Sequence, residues 1–512
     1  MKCTDIALVV KQILSSDILK KTSSKKGPLY MVGMDSVPLW VLEELKDEKG
    51  MLPFRKLLSQ NCIENMESTL PPMTGPAWPS IYTGLEPKDH GVPDFFVMKK
   101  SYTPDIVYYD SSKVPPFWKE LAHRGVRCLV ITPATDITLP DYNNIDMMTG
   151  FPLKARTNSK HMEQLMKEHG FDGEPNIEKD IKAGKMDIGE ASGRFAKSVG
   201  ARSEIAISML EKKQYGFVYV CFTETDRLQH FVMNKNKWRS YLLPVYTEIA
   251  KYIEYVTSKI DKEGGRLVIV SDHGTQPISK KFLLNNWLMQ NGYLDLKEKT
   301  KNEFLKESGK EASAGYAVRE KIMKSGLRGA YDKMPYHAKR AAYRVFGAVF
   351  SGAASAKYTR MHLFDFDMKR TKAFAAISND PVASIWVNDS RFATPIVKGN
   401  RERLVRELKE KLSKVESLDG KQMFVNIYDG KNYYKDTKKF IASDLLVEAR
   451  EGYTVDIFNF SKSSMFMDPE DAKSGDHIRN GIFGTYPKVA DTGVDAVTDV
   501  KEFILKYFGA YR

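Results

Sequence analysis

Six aspartate and histidine side chains stand at positions of the sequence where they could hold metal ions. Asp35, Asp226 and the pair Asp272–His273 each lie at or just beyond the end of a strand-like apolar run. Ligands of open α/β sheets bind at the carboxyl ends of the strands, so these side chains can meet in one crevice. His230 follows Asp226 by four residues, which places both on one face if the segment is helical, where they can grip a single ion. His477 completes a set of three aspartates and three histidines.

This donor set indicates the kind of ion and the kind of reaction. Mixed carboxylate and imidazole ligands suit borderline cations, zinc first and manganese as the alternative, better than magnesium, which prefers oxygen ligands alone. Two such ions about 3.5 to 4 Å apart can stabilise the attacking and leaving oxygens of an in-line displacement at phosphorus. The sequence therefore points to two divalent ions and a phosphorylated substrate.

A nucleophile for that displacement is available in the segment Leu70–Ser80. Thr74 is flanked there by proline and glycine, on a stiff, irregular turn that can open a helix. A helix N-terminus at this point would also favour a phosphate group. Thr74 has an alternative interpretation as a turn hydroxyl with a local backbone bond, and each ligand candidate taken singly is more often a turn, helix-surface or loop residue.

The elements that must position these residues follow an α/β pattern. From residue 28 to 295, short β-rich runs alternate with helical stretches, which is typical of a largely parallel sheet covered by helices. Residues 296–364 are Lys- and Ala-rich and helical, and we expect them to form a basic insertion or cap. Residues 365–512 return to the core with the last ligand candidate, whereas residues 1–27 form an N-terminal extension.

The positive charge of the chain is concentrated in that insertion. The 512 residues contain 78 Lys or Arg and 65 Asp or Glu, a formal net charge of +13. Residues 321–360 hold nine of these cations against a single acid, Asp332. The segment has three interpretations: a solvated helical lid, an anion-attracting rim over the active site, or a patch for a membrane surface or nucleic acid. We favour a cap that helps to bind a small phosphorylated substrate, since no clear nucleic-acid motif accompanies the charge.

The cysteines and the apolar runs indicate a location. Cys3, Cys62, Cys128 and Cys221 show no paired spacing, which favours a reducing compartment and excludes a zinc site built from cysteines. The N-terminal apolar run Ile6–Val10 is too short for a signal-peptide core, and no run reaches the roughly 20 residues of a membrane-spanning helix. We therefore predict a cytoplasmic protein, with peripheral membrane association as the alternative.

The candidate residues also occur within motifs of a known family, in the order of that family. Along the chain these are Asp35, Pro71-Pro-Met-Thr74-Gly-Pro-Ala-Trp78, Thr83-Gly-Leu-Glu-Pro-Lys-Asp-His90-Gly91, Thr225-Asp-Arg-Leu-Gln-His230, Ser271-Asp-His-Gly274 and His477. With these motifs the chain resembles the alkaline phosphatase superfamily, specifically its type I phosphodiesterase/nucleotide pyrophosphatase branch. Within that branch it looks like the phosphohydrolase/phosphomutase-like proteins of archaea and bacteria. The resemblance covers about residues 28–295 and 365–490.

The resemblance implies an alkaline-phosphatase-like three-layer core around a central, mostly parallel sheet, with two metal ions at its edge. One ion would be held by Asp226, His230 and His477, and the other by Asp35, Asp272, His273 and the Thr74 oxygen. Thr74 would then be the nucleophile and form a phosphothreonine intermediate. Asn480 is a further candidate beside the ligands, whereas Thr83, Asp89 and His90 are predicted to be structural.

These inferences predict a metal-dependent phosphoester hydrolase, specifically a phosphodiesterase. One position departs from the branch, because Ala77 stands where nucleotide pyrophosphatases typically carry an asparagine that holds a phosphate oxygen. The departure weakens the expectation of a nucleotide substrate. The alternatives are a phosphomutase of the cofactor-independent phosphoglycerate mutase type and a non-catalytic protein that binds anionic lipid or nucleic acid. A sulfatase is disfavoured, since Thr74-Gly-Pro-Ala-Trp78 lacks the Cys/Ser-x-Pro-x-Arg setting of those enzymes.

Overall fold

The computed structural model of the protein describes residues 27–306, 359–379, 381–437, 440–469 and 473–510. Its centre is a seven-stranded sheet with the spatial order Ile63–Glu67, Asn480–Tyr486, Arg266–Val270, Leu29–Met34, Phe217–Phe222, Cys128–Ile131 and Ile145–Met148. Within this sheet Asn480–Tyr486 runs antiparallel to both of its neighbours. The other four pairings are parallel. The expected mostly parallel central sheet is therefore present.

The strands of this sheet are apolar along their length because both of their faces are covered. Leu29–Met34 and Phe217–Phe222 are buried at every position. A strand in such a setting reads as a continuous hydrophobic run, without the alternation of a half-exposed strand. Alternate residues enter two separate cores, with Val32 in one and Met31 in the other. The sheet is thus the middle layer of three.

Two long helices, Ile188–Lys212 and Trp238–Glu263, cover one face of the sheet. The carboxylate of Asp187 caps the first of them by accepting a hydrogen bond from the Glu190 amide at 2.9 Å. Two shorter helices, Leu39–Leu45 and Leu52–Ser59, add to the same core.

The opposite face is covered by a core rich in aromatic residues. It is built by the helices Thr74–Thr83, Phe117–His123 and Val500–Tyr507. The rings of Tyr82 and Trp118 meet edge to face with their centroids 4.7 Å apart. This layer includes the helix that begins at the candidate nucleophile Thr74.

A second sheet, which is antiparallel, is formed by residues that come after the first ligand motifs in the sequence. Its four strands have the order Ala373–Asn379, Val382–Val387, Leu445–Ala449 and Phe424–Asp429. The helices Leu284–Gln290 and Arg401–Leu412 pack with it around a hydrophobic core of its own. The Tyr434 hydroxyl donates to the Leu70 carbonyl at 3.2 Å, so this layer borders the loop that leads to Thr74.

Short elements complete the described chain. The remaining strands pair as Phe96–Met98 with Pro104–Ile106, Gly274–Pro277 with Gly475–Ile478, Thr359–Arg360 with Asn459–Phe460, and Lys280–Leu283 with both Tyr453–Asp456 and Phe466–Met467. The remaining helices are Pro87–His90, Lys160–Glu168, Glu178–Lys182, Glu224–Val232 and Glu298–Lys306, with 3-10 turns at Leu363–Asp365, Gly430–Asn432 and Val497–Asp499.

Two predicted segments fall largely beyond the described ranges. Residues 1–26 of the N-terminal extension and residues 307–358, with most of the basic stretch 321–360, lie outside the described residues. The division into extension, core and insertion therefore stays a prediction. None of the helices described here is long and apolar enough to cross a membrane.

The packing of the long helices on the main sheet predicts how two leucines differ. Leu242 is fully buried in the core between the long helices and the main sheet, whereas Leu52 is 66% exposed. Leu242→Ala should lower the free energy of unfolding by about 2 to 5 kcal/mol, because it removes buried methyl groups and leaves a cavity. Leu52→Ala should change it by less than about 1 kcal/mol. Urea unfolding followed by tryptophan fluorescence measures both, and equal losses would contradict the assigned burial.

Candidate active site

The predicted ligand residues lie at the carboxyl edge of three neighbouring parallel strands. Asp35 directly follows Leu29–Met34, Asp272–His273 come just after Arg266–Val270, and Asp226 lies in the helix after Phe217–Phe222. Because these strands are adjacent and parallel, their carboxyl ends meet at one edge. These four side chains therefore meet at one edge of the sheet, as expected from the sequence.

Asp226, His230 and His477 form the first group of ligand atoms. The helix Glu224–Val232 puts Asp226 and His230 one turn apart, with Asp226 Oδ1 3.3 Å from His230 Nε2. His477 Nε2 lies 3.1 Å from Asp226 Oδ1 and 3.1 Å from His230 Nε2. His477 is buried in the strand Gly475–Ile478, which pairs with Gly274–Pro277, so it is not a solvated loop residue.

Asp35, Asp272, His273 and Thr74 form the second group. His273 Nε2 is 3.2 Å from Asp272 Oδ2 and 3.5 Å from Asp35 Oδ1. The Thr74 hydroxyl donates to Asp35 Oδ1 at 3.2 Å. Thr74 is the first residue of its helix, as the turn chemistry of the segment suggested.

The two groups adjoin each other through His273. The rings of His273 and His477 have their centroids 4.1 Å apart. Two sets of three side chains bring their ligand atoms within 4.8 Å of one another, namely Asp226–His273–His477 and Asp35–Asp272–His273. The family resemblance assigns His273 to one ion, whereas the geometry places it within reach of both groups.

The hydrogen bonds of the histidines show that this site fits cations. His230 Nδ1 donates to the Gly475 carbonyl at 3.0 Å, and His273 Nδ1 donates to the Gly274 carbonyl at 3.2 Å. In a neutral imidazole the other nitrogen, Nε2, then carries a lone pair. The buried atoms His273 Nε2 and Asp272 Oδ2 lack a hydrogen-bond partner among the described residues, although they lie 3.2 Å apart. A cation bound to both of these buried acceptors would satisfy them, so the residues present fit a metal.

Burial and mutual repulsion shift the titration of the carboxyl groups. Burial raises the pKa of Asp35 well above its ordinary value, and the charges of Asp272 and Asp226 add to this shift. Burial and the charge of Asp226 likewise raise the pKa of Asp272. Burial would also raise the pKa of Asp226, but the imidazoles of His230 and His477 outweigh it and hold this pKa well below its ordinary value. Burial keeps the pKa of His273 low, which favours the neutral, metal-binding form.

Several residues that position the ligands were not singled out from the sequence. The Trp78 indole donates to Asp35 Oδ2 at 3.0 Å, and the Thr225 hydroxyl donates to the Asp35 carbonyl at 2.6 Å. The Gln229 amide donates to the Ser36 carbonyl at 2.8 Å. Trp78, Thr225 and Gln229 all lie inside the quoted motifs, which was the available signal. Their contacts could not be read from the motifs because the partner is far away along the chain.

The remaining candidates have simpler surroundings. Asn480 is exposed, and its side chain has no hydrogen bond within the described ranges, so its role near the ions stays a prediction. Ala77 is fully buried. The Thr83 hydroxyl donates to the Pro79 carbonyl at 2.6 Å, and His90 Nε2 lies 3.0 Å from the Ser80 hydroxyl. These bonds fit the structural roles expected of Thr83 and His90.

Comparisons with known proteins agree with this arrangement. A family model described as type I phosphodiesterase / nucleotide pyrophosphatase matches residues 29–457. A search of curated proteins gives no match. The chain is similar to the crystal structure of phosphonoacetate hydrolase from Sinorhizobium meliloti 1021 in complex with phosphonoformate, with 13% identity, a TM-score of 0.53 and coverage of 95% of this chain and 96% of that chain. Murine ectonucleotide pyrophosphatase / phosphodiesterase 5, in an inactive form in complex with AMP, has 11% identity, a TM-score of 0.45 and coverage of 94% and 95%.

The first of these structural similarities concerns the fold. It extends over nearly the whole of both chains, although the sequences share few residues. The protein therefore has an alkaline-phosphatase-like α/β fold with a central, mostly parallel sheet.

The buried His90 predicts a pH dependence of stability. His90 Nδ1 accepts a hydrogen bond from the Val92 amide at 3.2 Å, and burial lowers the pKa of His90 from its ordinary 6.5 to about 4. Between these pH values the unfolded chain binds a proton that the folded chain does not, so stability falls as the pH falls from 6.5 to 4, by about 3 kcal/mol. His90→Gln abolishes this term. The difference in urea-unfolding free energy between the two proteins should shift by that amount across this range, and a constant difference would refute the assignment.

Proposed function

The chain belongs to the type I phosphodiesterase/nucleotide pyrophosphatase family of phosphoester hydrolases, and from this premise we propose that it is a metal-dependent phosphodiesterase with Thr74 as its nucleophile. The observation that carries the proposal is the meeting of two metal-competent groups at one sheet edge beside the Thr74 hydroxyl. A bound cation would satisfy His273 Nε2 and Asp272 Oδ2, which lack a hydrogen-bond partner among the described residues.

Two divalent ions would be held by residues already close enough to share them. We propose zinc, with manganese as the alternative, because imidazole and carboxylate ligands are mixed. The ligands would be Asp226, His230 and His477 for one ion, and Asp35, Asp272, His273 and Thr74 for the other. When bound, such ions supply positive charge that lowers the pKa of a hydroxyl and stabilises the oxygens around phosphorus.

The contribution of Thr74 follows from its place at the start of a helix. Its hydroxyl proton points at Asp35 Oδ1, 3.2 Å away, and the first backbone N–H groups of a helix have no intrahelical partner. These N–H groups favour a phosphate oxygen at the same point. Thr74 Oγ1 would form a bond to phosphorus while the ester P–O bond breaks and the alcohol leaves. Water would then hydrolyse the phosphothreonine and restore the Thr74 hydroxyl.

The neighbours of Thr74 keep this geometry fixed. Trp78, one turn along the helix, holds Asp35 through its indole N–H. Gly75 allows Phe95 to pack directly against the turn, since a Cβ atom at Gly75 would lie 3.2 Å from the Phe95 ring. A side chain after the nucleophile would therefore push Phe95 away.

The residue at position 77 bears on the substrate class that we propose. Because the buried Ala77 replaces the asparagine typical of nucleotide pyrophosphatases, we propose a phosphodiester without committing it to a nucleotide. The basic stretch 321–360 would attract the anionic substrate, and we propose a cytoplasmic location. Both of these points rest on the sequence alone.

Loss of the Thr74 hydroxyl should abolish turnover. We expect Thr74→Ala to reduce the metal-dependent hydrolysis of bis-p-nitrophenyl phosphate by at least about 10³-fold, since no covalent intermediate can form. The matched control is Thr103→Ala, because the Thr103 hydroxyl bonds Ser101 in an exposed turn. Release of p-nitrophenol by protein that has been stripped of metal and refilled with zinc or manganese is the measurement.

The same assay separates the alternatives. A preference for p-nitrophenyl phosphate over the diester would replace the diesterase by a phosphatase or mutase, and phosphoglycerate isomerisation would then identify the mutase. Full activity of Thr74→Ala would overturn the role of Thr74 as nucleophile.

Removal of metal should destabilise the folded protein. In the metal-free site burial raises the pKa of Asp35, and repulsion from the charge of Asp272 adds to this shift. Zinc or manganese at 100 times its dissociation constant should stabilise the fold by about 2.7 kcal/mol per site. Thermal unfolding with and without the ion, after chelation, measures this effect. Asp272→Asn should reduce it, and an unchanged melting temperature in both metals would contradict the metal site.

A further inference from the structure

A buried network of ion pairs lies directly behind the first ligand group. We call it the Glu174 network, and its members are Glu174, Glu178, Arg202, Glu224 and Arg227. Arg202 is fully buried and donates from Nη1 to Glu174 Oε1 at 3.0 Å and from Nη2 to the Glu224 carboxylate. Arg227 donates from Nη1 to Glu174 Oε2 at 3.3 Å and from Nε to the Glu178 carboxylate. One carboxylate, Glu174, thus joins both arginines.

The network bonds the first turn of the helix that carries the ligand candidates Asp226 and His230. Thr223, which immediately precedes the helix Glu224–Val232, donates its hydroxyl to Glu174 Oε2. Glu224 is the first residue of this helix, and Arg227 directly follows Asp226. Arg202 lies on the long helix Ile188–Lys212 and also donates to the Cys221 carbonyl at 2.8 Å. The start of the ligand helix is therefore tied to a second helix and to the end of a core strand.

The residues on both sides of Glu174 contribute to this contact. Gly173 has a φ of 137°, and a Cβ atom there would lie 3.2 Å from the Ala155 amide nitrogen. Glycine is the residue that adopts this conformation without strain. The Pro175 carbonyl on the other side of Glu174 accepts a hydrogen bond from Arg227 Nη2. On one side of Glu174 the glycine thus sets the path of the loop, and on the other side the Pro175 carbonyl ties the loop to the ligand helix.

Packing alone does not account for the network. Removal of charged groups from water costs several kcal/mol per ion, and apolar residues of similar size often hold a core equally well. The side chains of Arg202 and Glu224 are nevertheless fully buried, and 3% of the Glu174 side chain is exposed. Metal ligands, in contrast, must be placed to within about 0.2 Å, and directional bonds to ions supply that precision.

We propose that Glu174 is a positioning residue for the metal group of Asp226, His230 and His477. Through Arg227 and Thr223 it fixes the start of the ligand helix, and so sets the affinity of this group for its ion. No member of the Glu174 network bonds Asp35, Thr74 or Asp272 in the part of the chain that the structure describes. The ligand helix reaches the second metal group through the bonds of Thr225 and Gln229 to the backbone carbonyls of Asp35 and Ser36, so the second group should be affected less than the first. The inference rests on the proposed function, whose metal site it deepens.

The test is a titration of the full-length, metal-stripped protein with Zn²⁺, in competition with a chromophoric chelator. His230→Ala and Asp272→Ala identify the binding step that belongs to each group. Glu174→Gln keeps the shape of the side chain and removes its charge. We expect it to weaken the step lost in His230→Ala by about 10- to 100-fold and the other step by less than about 3-fold.

Two further variants keep the test decisive. Gly173→Ala displaces the same loop without a change of charge, and it should weaken the same step, which covers the case in which Glu174→Gln fails to fold. Glu163→Gln is the matched control, because it removes the same charge from an exposed ion pair with Lys167. It should leave both steps unchanged.

The outcomes separate this inference from the proposed function. If the wild-type protein binds two Zn²⁺ ions and both loop variants bind them as tightly, the positioning role is refuted while the metal site stands. If both steps weaken equally together with the melting temperature of the metal-free protein, Glu174 is merely structural and the inference is overturned. If the wild-type protein binds neither Zn²⁺ nor Mn²⁺, the proposed function fails and the inference fails with it. A loss of Zn²⁺ affinity that is confined to the first group supports the inference, even if the protein hydrolyses no diester.

Discussion

The close approach of three carboxylates is the constraint on which this structure depends. Asp35 and Asp272 are buried, the side chain of Asp226 is 14% exposed, and the three follow three neighbouring strands of the main sheet. Like charges in such a setting repel strongly, and burial together with this repulsion raises the pKa values of Asp35 and Asp272. The fold can keep these groups together and ionised when cations lie between them. The site is thus costly for an empty protein and favourable for a metal-loaded one.

Much of the surrounding structure serves to hold these groups in place against their repulsion. The Ser36 amide donates to Asp272 Oδ1 at 3.2 Å, and Trp78 holds the second oxygen of Asp35. Gln229 bonds the Ser36 carbonyl and in turn accepts a hydrogen bond from the Tyr246 hydroxyl at 3.1 Å. These bonds connect the helices to the turns that follow the strands. The core therefore determines the ligand positions through polar contacts as well as through hydrophobic packing.

The two sheets divide the work of the protein. The main sheet positions most of the ligand candidates, because parallel neighbouring strands deliver their carboxyl ends to one edge, whereas His477 lies in a separate pair of strands. The antiparallel sheet contributes no predicted ligand, but it contacts the loop before Thr74 through Tyr434. It also meets the hairpin Phe96–Met98, through the bridge from Met98 to Ile441. This second layer therefore borders the loop that leads to Thr74.

The sequence alone determined the local elements and the chemical types at the site. The apolar run before Asp35 predicts a strand, which lies at Leu29–Met34 in the structure, because local sequence patterns report burial. The motif order indicates the family, which the family model confirms, and predicts the ligands. The tertiary structure decided which atoms meet: His477 came to lie in a strand, and His273 within reach of both groups. It also decided that Glu174, 52 residues from Asp226 along the chain, stands behind the ligand helix. Local patterns carry no information on such partners, since strand pairing and buried ion pairs join segments that are distant in sequence and adjacent only after folding.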